Sequence, residues 1–208
     1  MRADLTLAFL ALIWGATFVL VKRALSDVTP FLFLALRFSL AAAVLLIWFR
    51  RRIRLGFNRR DYYLGLPVGA VLMLGYVLQT VGLQSTTPAK SAFLTGLYIV
   101  LVPFVASLVY RTRPRLLEVA GVLVAAIGMT LLAMQGASLS ITRGDLLTIA
   151  CAGVFAVHIV LLSHWVPIVG FESLSLLQIA AAAAVACIAA PLVEVPAILW
   201  SPTVIAAI

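Results

Sequence analysis

Long runs of apolar residues recur along the whole chain and limit what it can fold into. Six runs carry no Lys, Arg, Asp or Glu, and a seventh contains one charged residue, Arg37. A bilayer core about 30 Å thick takes roughly 20 residues of helix, because each residue adds about 1.5 Å. The runs are Leu5–Val21, Phe31–Phe49, Tyr62–Leu83, Ser91–Tyr110, Val119–Ile141, Leu146–Phe171 and Ser173–Val193. We therefore predict seven complete transmembrane helices, with Val195–Ile208 forming a loop and the start of an eighth.

The composition excludes a water-soluble fold. Apolar residues make up 64% of the 208 residues and charged residues only 11%, with a mean hydropathy of +1.19. A soluble domain needs about a quarter of its residues charged to cover its surface. Helices are the remaining choice, because backbone polar groups must be paired in hydrocarbon and the runs lack the alternation of barrel strands. The predicted fold class is an all-α polytopic membrane protein, with the lipid bilayer as a partner.

The net charge of +8 indicates membrane orientation rather than nucleic-acid binding. Basic residues cluster between the apolar runs, at 50–60 and 111–115. If the N-terminus is inside, the cytoplasmic segments hold ten basic residues and the external segments hold four, namely Lys22, Arg23, Lys90 and Arg143. Because cytoplasmic loops are enriched in Lys and Arg, we predict a multi-pass membrane protein with a cytoplasmic N-terminus.

The cysteines and histidines do not have the spacing of a metal site. Cys151 and Cys187 lie 36 residues apart inside apolar runs, and we expect both to be small buried residues. His158 and His164 are six residues apart and do not share a helix face. We therefore expect no metal and no cofactor. Two roles stay open for His158, a hydrogen-bonded core histidine and a group that couples transport to protons.

The chain contains a weak internal repeat. An ungapped shift of 141 residues superposes 4–47 on 145–188 with a dozen identities, among them Asp4 on Asp145, and it brings Arg37 onto Gln178. Five predicted helices separate the two copies, and an odd number inverts the second copy relative to the first. Inverted repeats are typical of secondary transporters that work by alternating access.

The repeat also predicts a longer protein than this chain. Two copies of 141 residues would need about 280 residues and ten helices, whereas the chain has 208 residues. We therefore expect a first repeat of five helices over 1–141 and an incomplete second repeat over 142–208, with two helices and the start of a third. A fragment and a short protein both fit this expectation.

Several motifs resemble the EamA-type members of the drug/metabolite transporter superfamily. The motifs are Trp14-Gly15-Ala16-Thr17-Phe18 with Lys22, the segment from Pro30 to Arg37, the segment from Gly82 to Leu97, Gly121 to Gly128, and Gly144-Asp145-Leu146. The resemblance implies ten helices in two inverted five-helix repeats. It also implies a small-molecule substrate, since members carry amino acids, nucleosides, sugar phosphates, drugs and other metabolites.

Arg37 is the one basic residue inside an apolar run. It lies six residues into its predicted helix, about 9 Å from the membrane surface. An arginine at that depth is costly unless it snorkels, pairs or faces a wet cavity. Two interpretations stay open: a snorkelling structural side chain, or a cavity cation that attracts a carboxylate or phosphate.

Polar side chains form stripes on two consecutive helices. Tyr76, Gln79 and Thr80 share one face of the third helix, and Thr95 and Tyr98 share a face of the fourth. In lipid these polar side chains must face the interior of the bundle. There they either form hydrogen bonds between helices or contact a substrate. The predicted substrate-binding residues are Trp14 as an aromatic wall, Arg37, Tyr76, Gln79, Thr80, Thr95 and Tyr98.

With the family resemblance, the functional prediction is an integral permease of the inner cell membrane that exports a small metabolite, such as an amino acid, a nucleoside or a drug-like compound. A homodimer is left open. One alternative is a non-transporting scaffold or fragment. A membrane-embedded enzyme is the other alternative, and for it we would expect paired carboxylates, metal-spaced histidines or a nucleophile with a base, none of which we find in the sequence.

Overall fold

The structure is a computed structural model that describes residues 2–51, 56–111, 116–134 and 141–208. Within these ranges the secondary structure is helical, apart from one isolated bridge between Val28 and Ile198. The helices are α1 (Arg2–Ala24), α2 (Pro30–Trp48), α3 (Arg59–Gln84), α4 (Pro88–Gly96), α5 (Tyr98–Tyr110), α6 (Leu116–Met134), α7 (Arg143–Val169), α8 (Phe171–Val193) and α9 (Pro202–Ala207). Proline begins α2, α4 and α9, where its missing N–H has no helical partner to lose.

Six stretches of the described residues are long and apolar enough to cross a membrane. They are α1 from Leu5 onward, α2, α3, α4 together with α5, α7 and α8. This confirms the predicted class of all-α polytopic membrane protein. The predicted span Val119–Ile141 overlaps α6, but residues 135–140 lie outside the described residues. Seven complete spans therefore remain a prediction.

The predicted span Ser91–Tyr110 lies within the apolar stretch Pro88–Tyr110, in which Leu97, directly after Gly96, separates α4 from α5. Two details of the sequence analysis are wrong. The span Leu146–Phe171 ends at Val169, because Gly170 turns the chain with a φ of +89° and Phe171 begins α8. Cys187 is exposed rather than buried, whereas Cys151 is buried. In lipid both faces of a helix are apolar, so hydropathy does not indicate which face is buried.

Helix α3 lies at the centre of the described bundle, packed against both α7 and α8. Glycines on α3 allow close contact: Gly82 lies against Thr148 of α7, and Gly75 lies against Phe155. The higher-numbered glycine of α3 contacts the lower-numbered residue of α7, so the two helices run antiparallel. Small residues at such contacts are the usual means of tight helix packing in membranes.

Helices α2 and α8 also run antiparallel. The backbone N–H of Leu32, in the first turn of α2, donates to Glu194 Oε1 just after the end of α8, at 2.9 Å. At the other end of the pair, the rings of Phe49 and Phe171 meet edge to face with centroids 6.3 Å apart. The start of each helix therefore lies beside the end of the other.

Lys22 fixes the end of α1 to the end of α3. Its ammonium group donates to the carbonyls of Leu83 and Gln84 at 2.7 and 2.8 Å. The last carbonyls of a helix have no helical N–H to accept from, so a lysine is a favourable partner. We call this side of the bundle the Lys22 end. Helices α1, α3 and α8 finish there, and α2, α4 and α7 begin there.

A buried ion pair at the Lys22 end joins α4 to α7. The carboxylate of Asp145 in α7 accepts from Lys90 Nζ at 2.8 Å, and its side chain is only 4% exposed. It also accepts from the Thr86 hydroxyl and, as the partner in a capping box, from the backbone N–H of Thr142. Asp145 therefore connects the α3–α4 turn to the segment that opens the predicted second repeat.

The substitution Asp145→Asn is expected to destabilise the bundle by about 1–3 kcal/mol, between the values for exposed and buried ion pairs. Asparagine keeps a side-chain oxygen that can accept from the Thr142 N–H, so the loss reports mainly the missing charge opposite Lys90. The measurement is the melting temperature in detergent. Asp27→Asn is the control, since the Asp27 carboxylate accepts an exposed bond from Ser26. Equal melting temperatures for wild type and Asp145→Asn would contradict the prediction.

Candidate substrate site

Helices α1, α2 and α3 enclose a cleft that we call the Arg37 cleft. Nine described residues line it: Trp14, Thr17, Phe18 and Val21 from α1, Arg37 from α2, and Tyr76, Gln79, Thr80 and Leu83 from α3. The α1 residues recur at intervals of three and four, which places them on one helix face. The same spacing holds along α3. One face from each of the two helices therefore forms most of the wall.

The structure brings all seven predicted site residues together. Five of them, Trp14, Arg37, Tyr76, Gln79 and Thr80, line the cleft directly. The other two contact lining residues: the Thr95 hydroxyl accepts from Gln79 Nε2 at 3.1 Å, and the Tyr98 ring lies 5.9 Å from Trp14. Their role in binding a substrate remains a prediction.

The sequence analysis missed four lining residues, Thr17, Phe18, Val21 and Leu83. Their spacing could have indicated them. Thr17, Phe18 and Val21 follow Trp14, and Leu83 follows Thr80, at intervals of three to seven residues that fall on the same helix face. Apolar residues at such spacing occur on nearly every helix of this chain. Spacing alone therefore does not distinguish these four residues from other apolar positions. The structure does, because it places Trp14 and Arg37 on the same cleft.

Aromatic rings border the cleft on two sides. Tyr76 contacts Phe38 of α2 and Phe155 of α7 edge to face, with centroids 5.0 and 5.4 Å apart. Trp14 contacts Tyr98 and, one turn along α1, Phe18. Such contacts hold aromatic rings in fixed orientations and provide an apolar surface beside polar groups. We call Phe38, Tyr76 and Phe155 the aromatic cluster.

Arg37 is the charged residue among those that line the cleft, and it has no ion-pair partner within the described part of the chain. Its guanidinium lies 5.9 Å from the centroid of the Phe33 ring, within range of a cation–π interaction. That contact leaves the N–H donors of the guanidinium available. An anion in the cleft would therefore find a cation that no described carboxylate neutralises.

The cleft is narrow. Its empty volume is about 330 Å³ when the open mouth is included. Between the walls there is room for only about one water molecule. Helices α1 and α2 pack against α3 much less extensively than α7 and α8 do.

Ionisable residues inside membrane spans commonly mark substrate or ion pathways, and Arg37 is such a residue on the wall of a cleft. The sequence pattern of the EamA-like transporter family matches residues 1–134. The chain belongs to this family of membrane transporters, which confirms the resemblance found in the motifs and points away from an enzyme.

Curated relatives agree with this assignment. An uncharacterized transporter of Archaeoglobus fulgidus is 39% identical over 163 residues, which are 78% of this chain and 49% of the relative. The uncharacterized transporter YyaM of Bacillus subtilis (strain 168) is 33% identical over 141 residues, 64% of this chain and 46% of the relative. The chain thus spans about half the length of the curated relatives it matches.

A solved structure shows the same fold. It is described as a crystal structure of protein and superposes with a TM-score of 0.70, covering 96% of this chain and 70% of the other. The sequence identity is 23%, so the likeness concerns the fold alone.

Proposed function

We propose that this chain is part of a permease that exports a small anionic metabolite through the Arg37 cleft by alternating access. The observation that carries the proposal is Arg37, a cation without a described ion-pair partner on an otherwise uncharged wall. A guanidinium binds carboxylate and phosphate groups in two parallel hydrogen bonds. Trp14 and Tyr76 supply an apolar surface for the remainder of such a molecule. The outward direction is part of the proposal and rests on the family resemblance alone.

The packing of α2 and α8 supports alternating access. The 141-residue shift makes these two helices equivalent, and they run antiparallel in the bundle. Helices α1 and α7 are equivalent in the same way, and α1 ends at the Lys22 end where α7 begins. Inverted repeats give a transporter two conformations related by an exchange of roles between the repeats.

Transport measurements test the function. Inside-out membrane vesicles that contain the full protein are offered labelled metabolites in three groups: carboxylates, phosphates and uncharged analogues. We expect at least one anion to accumulate faster than in vesicles without the protein, with little accumulation of its uncharged analogue. Accumulation of uncharged compounds alone, or of none of the compounds, would contradict the proposal.

We also propose that the Lys22 end faces outward and that the N-terminus is cytoplasmic. Helix α2 ends and α3 begins at the opposite end, which places Arg50 and Arg59 on the side rich in basic residues. Cysteines introduced by Arg54→Cys and Ser85→Cys are expected to react with a membrane-impermeant maleimide from opposite sides. Reaction of the position 54 cysteine from outside intact cells would overturn this orientation.

A further inference from the structure

The repeat makes a second polar pair equivalent to the one in the Arg37 cleft. The 141-residue shift brings Thr17 onto His158 and Arg37 onto Gln178. Neither position is identical between the repeats, so neither contributed to detecting the shift. Thr17 and Arg37 line one cleft, and His158 Nε2 lies 2.9 Å from Gln178 Oε1 between α7 and α8. The first two helices of each repeat therefore carry a polar pair at the same two positions.

The second pair, His158 and Gln178, has hydrogen-bond donors and an acceptor that its mutual hydrogen bond does not use. Because the Gln178 oxygen can only accept, His158 donates from Nε2 and its Nδ1 is left as an acceptor. The Gln178 carboxamide N–H₂ adds two donors. Within the described residues, neither Nδ1 nor this N–H₂ group has a partner. Both side chains are nearly buried, His158 at 8% and Gln178 at 9% exposure.

The two pairs lie on opposite sides of the aromatic cluster. On α3 the cleft residues run from Tyr76 toward the Lys22 end, whereas the backbone of Gln178 lies against Gly69. Seven residues separate Tyr76 from Gly69, about 10 Å along the helix. Phe155 of the aromatic cluster lies one turn from His158 on α7. Along the bundle axis, the aromatic cluster therefore lies between the second pair and most of the cleft.

We propose that His158 and Gln178 form a second polar subsite, which opens to water and to hydroxyl or amide groups of the substrate when α7 and α8 separate. This inference rests on the proposed function. In the conformation described, the Arg37 pair lines a cleft while the His158 pair is closed by its own hydrogen bond. An exchange of roles between the repeats breaks that bond and exposes the spare donors and acceptor.

Thiol labelling tests the subsite without knowledge of the substrate. Single-cysteine variants Gln178→Cys and His158→Cys are made in a background that carries Cys151→Ala and Cys187→Ala. The probe is the small anionic reagent 2-sulfonatoethyl methanethiosulfonate, applied to membrane vesicles of each orientation. The matched control is Ala182→Cys, one turn from Gln178 on α8 and 0% exposed. Membrane expression of each variant is checked by immunoblot.

We expect the cysteines at 158 and 178 to react at least about tenfold faster than the cysteine at 182, because only the subsite opens to water. The faster reaction should come from one side of the membrane. Equally slow labelling at all three positions would overturn the inference and assign the pair a packing role. Labelling at 182 as fast as at 158 and 178 would also overturn the inference, because water would then reach this part of α8 in general and not a specific subsite. A failed transport screen contradicts the proposed function but does not alter these rates.

Discussion

Replacing Arg37 by glutamine is expected to reduce the initial rate of anion export by about 100-fold, which corresponds to roughly 3 kcal/mol of lost charge-assisted hydrogen bonding. Glutamine copies the residue at the equivalent repeat position, Gln178, and removes the cation from the cleft. Arg37→Lys keeps the charge but loses the planar fork, so we expect a reduction of about tenfold. The measurement is uptake into inside-out vesicles, normalised to the amount of protein in the membrane.

A matched control separates the cleft charge from charge in general. Arg23→Gln removes an exposed arginine in the last turn of α1 and should leave export close to wild type. Normal export by a well-expressed Arg37→Gln variant would refute the binding role. Export that follows protein level in every variant, with Arg37→Lys unimpaired, would instead support the snorkelling interpretation.

Replacing Gly69 by alanine is expected to lower stability by about 1–3 kcal/mol or more, because overpacking strains a tight helix contact. A Cβ atom on Gly69 would lie 2.6 Å from Ala181 Cβ and 2.9 Å from Gln178 Cα, and it would also collide with the Gln178 carbonyl oxygen. Backbone atoms cannot rotate away as a side chain can. Helices α3 and α8 must therefore move apart. The measurement is the melting temperature in detergent.

The control for this substitution is Gly15→Ala. Gly15 lies inside α1, and a Cβ atom there would meet nothing within 4 Å. Alanine is the better helix former by about 1 kcal/mol, so this variant should be as stable as wild type or slightly more so. If both variants melt at the same temperature as wild type, α3 and α8 do not approach as closely at Gly69 as the structure shows. If both are destabilised alike, the loss is not specific to that contact.

The polar stripes show how far the sequence reaches. Tyr76, Gln79 and Thr80 could be assigned to one inward face, because helical periodicity fixes which residues of a single helix point the same way. The sequence also placed Arg37 at a costly depth. It left open whether Arg37 snorkels or lines a cavity, and the structure places it on the wall of a cleft with Trp14. The hydrogen bond between His158 and Gln178 could not be predicted from the sequence, because the two residues belong to different helices.

The sequence by itself determined that the chain is a helical membrane protein, approximately where most of its helices begin and end, and which residues form polar faces. These properties are local, because lipid requires each span to be apolar and to pair its own backbone. The tertiary structure alone decided that α3 lies between α7 and α8, that Lys22 binds the last carbonyls of α3, and that the seven candidate residues meet. Those contacts depend on the rotation of each helix and on close approach at glycines. Most buried and most lipid-facing side chains of this chain are apolar, so outside the polar stripes hydropathy indicates neither the rotation of a helix nor which helices approach closely.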